Sequence, residues 1–232
     1  MVKYQTPRVG VFGVAMKKFI DAHCHLFVCD LPDNIGAIVN ATNPAEWGAV
    51  IECAHKNPSV FGAIGVHPWC VADLADGWDA QLRNLLTENP DIMIGEIGLD
   101  NHKPDMDAQM DVFVRQLEIA ADLGRGVHVH CVGAWDRMFA IFKAHKSKMP
   151  SFMLFHRFSG NKADVARLVA DYNAFFSFRD VRDVVNDVPS GRVMIETDSD
   201  NPAQIVVIDE KVARVCPQVN FYENTMGMLK NG

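Results

Sequence analysis

Histidines and acids stand late in several short apolar runs of this chain. The run Phe19-Ile20-Asp21-Ala22-His23-Cys24-His25 sets two imidazoles two residues apart. Side chains alternate along a strand, so His23 and His25 share one face and Cys24 takes the other. Paired imidazoles near a strand end suit a divalent cation, and the alternation tells against Cys24 as a ligand. Ile92 to Asp100 carries Glu96 inside an apolar run, where a carboxylate is costly unless paired or metal-bound. Val127-His128-Val129-His130-Cys131 repeats the two-histidine pattern, Phe152 to His156 ends on an imidazole, and Ile195-Glu196-Thr197-Asp198 ends on an acid. Taken singly, each has a plain alternative: Glu96 pairs with a base, and Asp198 caps a turn. Their common place at strand ends predicts a metal centre at the end of the sheet where such sites are built.

Neighbouring residues read differently. His128 and Glu196 lie one layer deeper than His130 and Asp198, as a hydrogen-bonded core histidine and a group that orients a ligand. Cys131 packs, and His55 and His145 face solvent from helices. Trp135, Phe139 and Phe142 share a helix face and pack inward rather than forming a cofactor box.

The elements that must position these groups alternate through nearly the whole chain. Strands are predicted at Phe19–His25, Gly36–Ala41, Val60–Val66, Ile92–Leu99, Gly126–Cys131, Phe152–Phe158, Ala174–Phe178 and Val193–Thr197. Between them, Asn43-Pro44-Ala45-Glu46 opens a helix running toward Lys56. Met106, Met110, Phe113, Leu117 and Ala120 share one face of a helix that Gly124 stops. Another helix begins at the cap Asn161, with Val165, Leu168 and Val169 inward. Eight strands alternating with helices predict an α/β fold, a (β/α)8 TIM-type barrel whose active site gathers at the C-terminal strand ends. An open doubly wound sheet is the rival, but Gly10 to Gly13 lacks its glycine fingerprint. Only about ten residues follow His25 before the second strand, too few for a crossover helix, so an irregular barrel without a full helix there is expected. No linker or repeat divides the chain: residues 16–232 read as one domain, with 1–15 as a possible N-terminal extension before Met16-Lys17-Lys18.

The 232 residues are 49% hydrophobic and 22% charged, which excludes a disordered or collagen-like chain. A net charge of -7 argues against coating nucleic acid through a broad basic surface, yet leaves room for local phosphate binding where metal ions supply the charge. No apolar run reaches the roughly 18–20 residues a membrane span needs. Val9 to Ala15 is too short for a signal peptide. The six cysteines form no CxxC pair, so reduced thiols in a cytoplasm are expected. No obligate protein partner is readable.

Six motifs occur in order: Asp-Ala-His-Cys-His-Leu at 21–26, Gly-Val-His-Pro at 65–68, Ile-Gly-Glu-Ile-Gly-Leu-Asp at 94–100, Val-His at 129–130, Phe-His-Arg-Phe-Ser-Gly at 155–160 and Glu-Thr-Asp at 196–198. Together they resemble the TatD family of metal-dependent deoxyribonucleases, among the amidohydrolase-like barrels, over residues 18 to about 200. The resemblance implies two divalent ions, His23, His25 and Asp198 holding one, His130 and His156 the other, and Glu96 bridging. It implies Asp198 as general base and His67 at the pocket mouth on a substrate oxygen; the alternative for His67 is a loop residue stiffened by Pro68. Zinc suits the mixed ligands, with magnesium, manganese or nickel as alternatives. Nucleic acid or another phosphoester is the implied substrate.

The chain departs from the family at Cys131-Val132-Gly133, where an arginine is usual, at Asn101-His102 and at Ser199-Asp200-Asn201-Pro202. Losing an arginine fork removes a bidentate phosphate contact. Amide, lactone or carboxylic-ester hydrolysis on the same centre is therefore the alternative, and a non-catalytic metal-binding barrel the third reading. Arg157 is the candidate to compensate for that lost arginine, though by alternation it should point away from His156.

Overall fold

The structure is a computed structural model and describes residues 17–25 and 29–231. The expected extension 1–15 lies outside the described residues. Eight parallel strands form: β1 Phe19–Cys24, β2 Ile35–Asn40, β3 Val60–Ala63, β4 Ile94–Asp100, β5 Val127–Val132, β6 Met153–Phe155, β7 Ala174–Phe178 and β8 Val193–Ile195. Each falls within a residue or two of its predicted start; the short β3 and β6 stop three residues early and β8 two. The helices are α1 Trp47–Lys56, α2 Trp78–Glu88, α3 Met106–Leu123, α4 Trp135–Ala144, α5 Lys162–Asp171, α6 Ile205–Ala213 and α7 Phe221–Asn231.

The strands pair in chain order as β1-β2-β3 and β4-β5-β6-β7-β8. Bonds outside the regular ladders link these two sheets. At one seam Ile64 N–H donates to Met93 O at 3.0 Å and Gly95 N–H to Ile64 O at 3.2 Å; at the other, Asp198 N–H reaches His23 O at 3.0 Å and His25 N–H reaches Ser199 O at 2.9 Å. The architecture is that of a TIM-type barrel whose regular ladder is interrupted at both seams. Such strands are covered on both faces, which explains their continuous Ile, Val and Phe content.

Local chemistry sets the helix ends. Asn161 and Asp164 form a reciprocal capping box at the start of α5. Gly124 ends α3 at φ 63, a left-handed conformation that glycine adopts without penalty. As expected, no helix follows β1 among the described residues; Pro32 O accepts the Ile35 N–H as β2 begins. One expectation is corrected. Cys29 and Cys53 form a disulfide with Cα atoms 5.3 Å apart, tying the loop after β1 to α1, whereas Cys24, Cys70, Cys131 and Cys216 are free. Sequence spacing alone cannot show which thiols a fold brings together. No described helix is long and apolar enough to cross a membrane.

Candidate metal centre

His23 and His25 from β1, Glu96 from β4, His130 at the end of β5, His156 just after β6 and Asp198 after β8 converge at the C-terminal strand ends. All six are buried or nearly so. Glu96 is the centre of the group. Its Oε1 lies 2.7 Å from His156 Nε2, 2.8 Å from His130 Nδ1 and 3.2 Å from His67 Nε2. Its Oε2 lies 3.3 Å from both His23 Nε2 and His25 Nε2. Asp198 Oδ1 stands 3.3 Å from His25 Nε2 and 4.0 Å from His23 Nε2.

Partners on the far side of His23, His25 and His130 decide which nitrogen of each faces the cluster. His25 Nδ1 is 3.0 Å from the Asn40 carbonyl, which can only accept, so Nδ1 carries the proton and Nε2 offers its lone pair inward. His130 Nε2 is 3.3 Å from Asp100 Oδ2, which turns Nδ1 inward by the same logic. His23 Nδ1 contacts His128 Nδ1 at 3.2 Å, leaving Nε2 on Glu96. His156 faces Glu96 and His130 with Nε2, while its buried Nδ1 has no hydrogen-bond partner.

Lone pairs directed at one another and at carboxylate oxygens repel unless a proton or a cation lies between them. Ligand atoms held roughly 2.0–2.2 Å from one ion stand roughly 3.0–3.6 Å apart, close to the separations here. Three triads have one donor atom each within 4.8 Å of the others: His23, His25 and Asp198; His23, Glu96 and His156; and His67, Glu96 and His130. The donors of the first two triads, with His130 beside Glu96, therefore fit divalent cations.

Without a cation, protons carry that charge. Burial works against a charged His25, but Asp198 and Glu96 raise it to about 10. Burial and the charge of His156 push His23 down to about 3. Glu96 is held well below the usual carboxylate range, against its burial, by His156, His67 and His130. Asp198 is likewise lowered against its burial, chiefly by the His25 hydrogen bond. Carboxylates that stay ionised are in the form a metal binds.

His67, expected at the pocket mouth, is buried within the cluster. Its Nδ1 accepts the Trp69 N–H at 3.1 Å, so the ring proton sits on Nε2 and donates to Glu96. His67 thereby faces the site as a donor. Arg157 corrects the alternation argument. It follows β6 with φ 41, a left-handed turn that breaks strand geometry, and its guanidinium reaches into the pocket to Asp198 Oδ2 at 2.9 Å. His128 is the expected deeper core histidine. Glu196 is also deep, accepting the Arg157 N–H and the Ser177 hydroxyl, each at 2.5 Å.

Sequence reasoning passed over Asp100, Gln109 and Gln116. Asp100 receives the Trp69 indole N–H at 2.6 Å and supports His130; Glu96, Gly98 and Asp100 alternate along β4, a signal that could have found it. Gln109 and Gln116 are buried on α3. Gln109 accepts the Asp100 N–H at 2.9 Å, and Gln116 brackets Val66 by accepting its N–H at 2.7 Å and donating to its carbonyl at 3.1 Å. They fix the ends of the segments that carry Asp100 and His67. Above the cluster opens a cavity of about 580 Å³, lined among others by His25, His67, Trp69, Asp100, Arg157 and Arg182.

Comparison with known proteins agrees with this geometry. Residues 20–220 match the family described as TatD related DNase. The "3'-5' ssDNA/RNA exonuclease TatD" of Erwinia tasmaniensis is 27% identical over 177 residues, covering 71% of this chain and 68% of the relative. A protein of Bacillus subtilis described as the uncharacterized metal-dependent hydrolase YabD is 29% identical over 202 residues, 77% of this chain and 78% of its own. The crystal structure of the Escherichia coli TatD homologue YJJV superposes with a TM-score of 0.76 at 23% identity, covering 92% of this chain and 95% of that one. A TatD-family hydrolase of Entamoeba histolytica gives 0.72 at 16% identity, over 93% and 96%. With its match spanning the strands and every residue of the cluster, this chain belongs to the TatD-related DNase family.

Proposed function

We propose that the protein is a metal-dependent hydrolase that cleaves phosphodiester bonds of nucleic acid by means of two divalent cations. The reading rests on one observation: Glu96 lies between His23, His25 and Asp198 on one side and His130 and His156 on the other, at the floor of an open pocket. In this reading His23, His25 and Asp198 hold one ion, His130 and His156 the other, and Glu96 both; zinc suits the mixed nitrogen and oxygen donors, with magnesium, manganese or nickel as alternatives. Bound there, the cations would acidify water toward neutrality and offset charge on the phosphate oxygens.

The remaining steps belong to the chain. Asp198, partly open to the pocket and ionised, accepts the proton of the attacking water and returns it to the leaving oxygen. His67 turns its Nε2–H from Glu96 to a substrate oxygen. Asp100 keeps His130 in the tautomer that faces inward. Residues 16–232 act as one hydrolase domain in the cytoplasm, with 1–15 appended. Carboxylic-ester, lactone or amide hydrolysis is the second reading, favoured by Cys131 and Val132, which line the β5 wall without a cation.

The test is release of nucleotides from a single-stranded oligonucleotide by zinc- or manganese-loaded protein. Asp198→Ala should lower the rate at least about a hundredfold, the low end for loss of a general base. A loaded wild type that leaves the oligonucleotide and bis(4-nitrophenyl) phosphate intact, yet cleaves a carboxylic ester, would establish the second reading instead.

A further inference from the structure

The β5 wall of the pocket offers no guanidinium, but the segment after β6 does. Arg157 holds a left-handed backbone at φ 41, a costly conformation for a residue with a Cβ. Glu196 secures it by accepting the Arg157 N–H at 2.5 Å. The effect is to aim at the pocket a side chain that strand alternation would send outward. The Arg157 side chain is about half exposed (49%), while that of its partner Asp198 is 15% exposed. Nη1 is 2.9 Å from Asp198 Oδ2, and among the described residues the guanidinium makes no other hydrogen bond, though the Asp180 carboxylate also feels its charge. Its remaining N–H groups are thus available above the metal cluster. Arg182, exposed on the same wall, is the other arginine lining the cavity.

We propose that Arg157 is the phosphate-binding group of this site, a second anion contact beside the metal cluster that selects a phosphodiester over a neutral ester. The inference rests on the phosphodiester reading above and names the side chain that recognises that substrate. A planar fork of N–H donors matches two phosphate oxygens, which a neutral ester cannot supply with charge. Arg157 also contacts Asp198, so a phosphate that draws it away leaves Asp198 Oδ2 free to accept a proton.

Arg157→Gly removes the guanidinium and suits the left-handed backbone, so its fold should be kept; thermal melting checks this. The binding probe is a fluorescein-labelled phosphorothioate tetrathymidylate, charged and resistant to hydrolysis, titrated by anisotropy into metal-loaded protein. Arg157→Gly should weaken binding at least tenfold, and Arg157→Lys, which keeps the charge without the fork, should fall between. With unmodified oligonucleotide the loss should appear in KM more than in kcat. Binding within twofold of wild type, or a fall in kcat at unchanged affinity, overturns the proposal and reduces Arg157 to a support for Asp198. Absence of binding by the wild type overturns it as well. Wild-type binding that depends on Arg157 without any cleavage leaves this assignment standing and removes only the hydrolytic reading.

Discussion

Replacing Glu96 by glutamine preserves the size of the side chain and removes the one charge that touches both halves of the cluster. Its two oxygens lie between 2.7 and 3.3 Å from five imidazole nitrogens, and the residue is almost wholly buried. At an effective dielectric near 20, a unit charge about 4 Å from another is worth about 4 kcal/mol. Its loss lowers cation affinity about a thousandfold, since each factor of ten is about 1.4 kcal/mol. At zinc a hundred times the wild-type Kd, binding stabilises the folded protein by about 2.7 kcal/mol. For a chain of this length that raises Tm by about 5–11 °C. The same zinc concentration is then only about a tenth of the Glu96→Gln Kd, and the rise falls below about 1 °C. Differential scanning fluorimetry with and without zinc reads the difference directly, and circular dichroism verifies that the metal-free variant is folded. A Glu96→Gln protein that keeps the full zinc-dependent rise would refute the reasoning.

Other consequences concern stability. Burial raises Asp21 from 3.8 to about 7, against its hydrogen bonds to Thr197. The folded value exceeds the unfolded one, so the native state keeps a proton that the unfolded chain releases. The stability linked to Asp21 is complete below about pH 4 and is lost as pH rises through about 7, a change of roughly 4 kcal/mol. Asp21→Asn should lack that dependence, so in urea melts its stability relative to wild type climbs between pH 4 and 7; a difference independent of pH contradicts this. A Cβ on Gly98, at φ 147, would lie 1.9 Å from the His130 carbonyl oxygen. Gly98→Ala should cost roughly 2–6 kcal/mol in urea denaturation, and a loss under about 1 kcal/mol would show the close approach to be wrong. Gln116→Leu leaves the buried N–H and C=O of Val66 unpaired and should cost roughly 2–6 kcal/mol; a near-neutral change in the urea midpoint would contradict that role.

The existence and order of the strands were legible because each is an apolar, β-branched run buried on both faces, and only their ends differed. Strand alternation also brought His23 to the same face as His25, and put His128 beneath His130. It failed at Arg157, because a left-handed residue held by Glu196 leaves the strand, and nothing local to His156-Arg157-Phe158 announces that partner 39 positions away. His67 lines the pocket, but deeper than a place at its mouth. Its depth depends on Val66 being pinned by Gln116, 50 residues on. The buried glutamines of α3 and the Cys29–Cys53 pair are likewise products of tertiary proximity, invisible to periodicity. Asp100 was accessible in principle, since it repeats the spacing of Glu96 along β4, but a strand-final acid reads first as a turn residue.

Whether two cations sit on either side of Glu96 is answered most directly by crystals of the protein grown with zinc and measured on both sides of the zinc absorption edge. Two anomalous peaks are predicted, one among His23, His25 and Asp198 and one against His130 and His156, each touching a Glu96 oxygen. A single peak away from Glu96, or none within the cluster at full occupancy of zinc in solution, would contradict the two-cation centre.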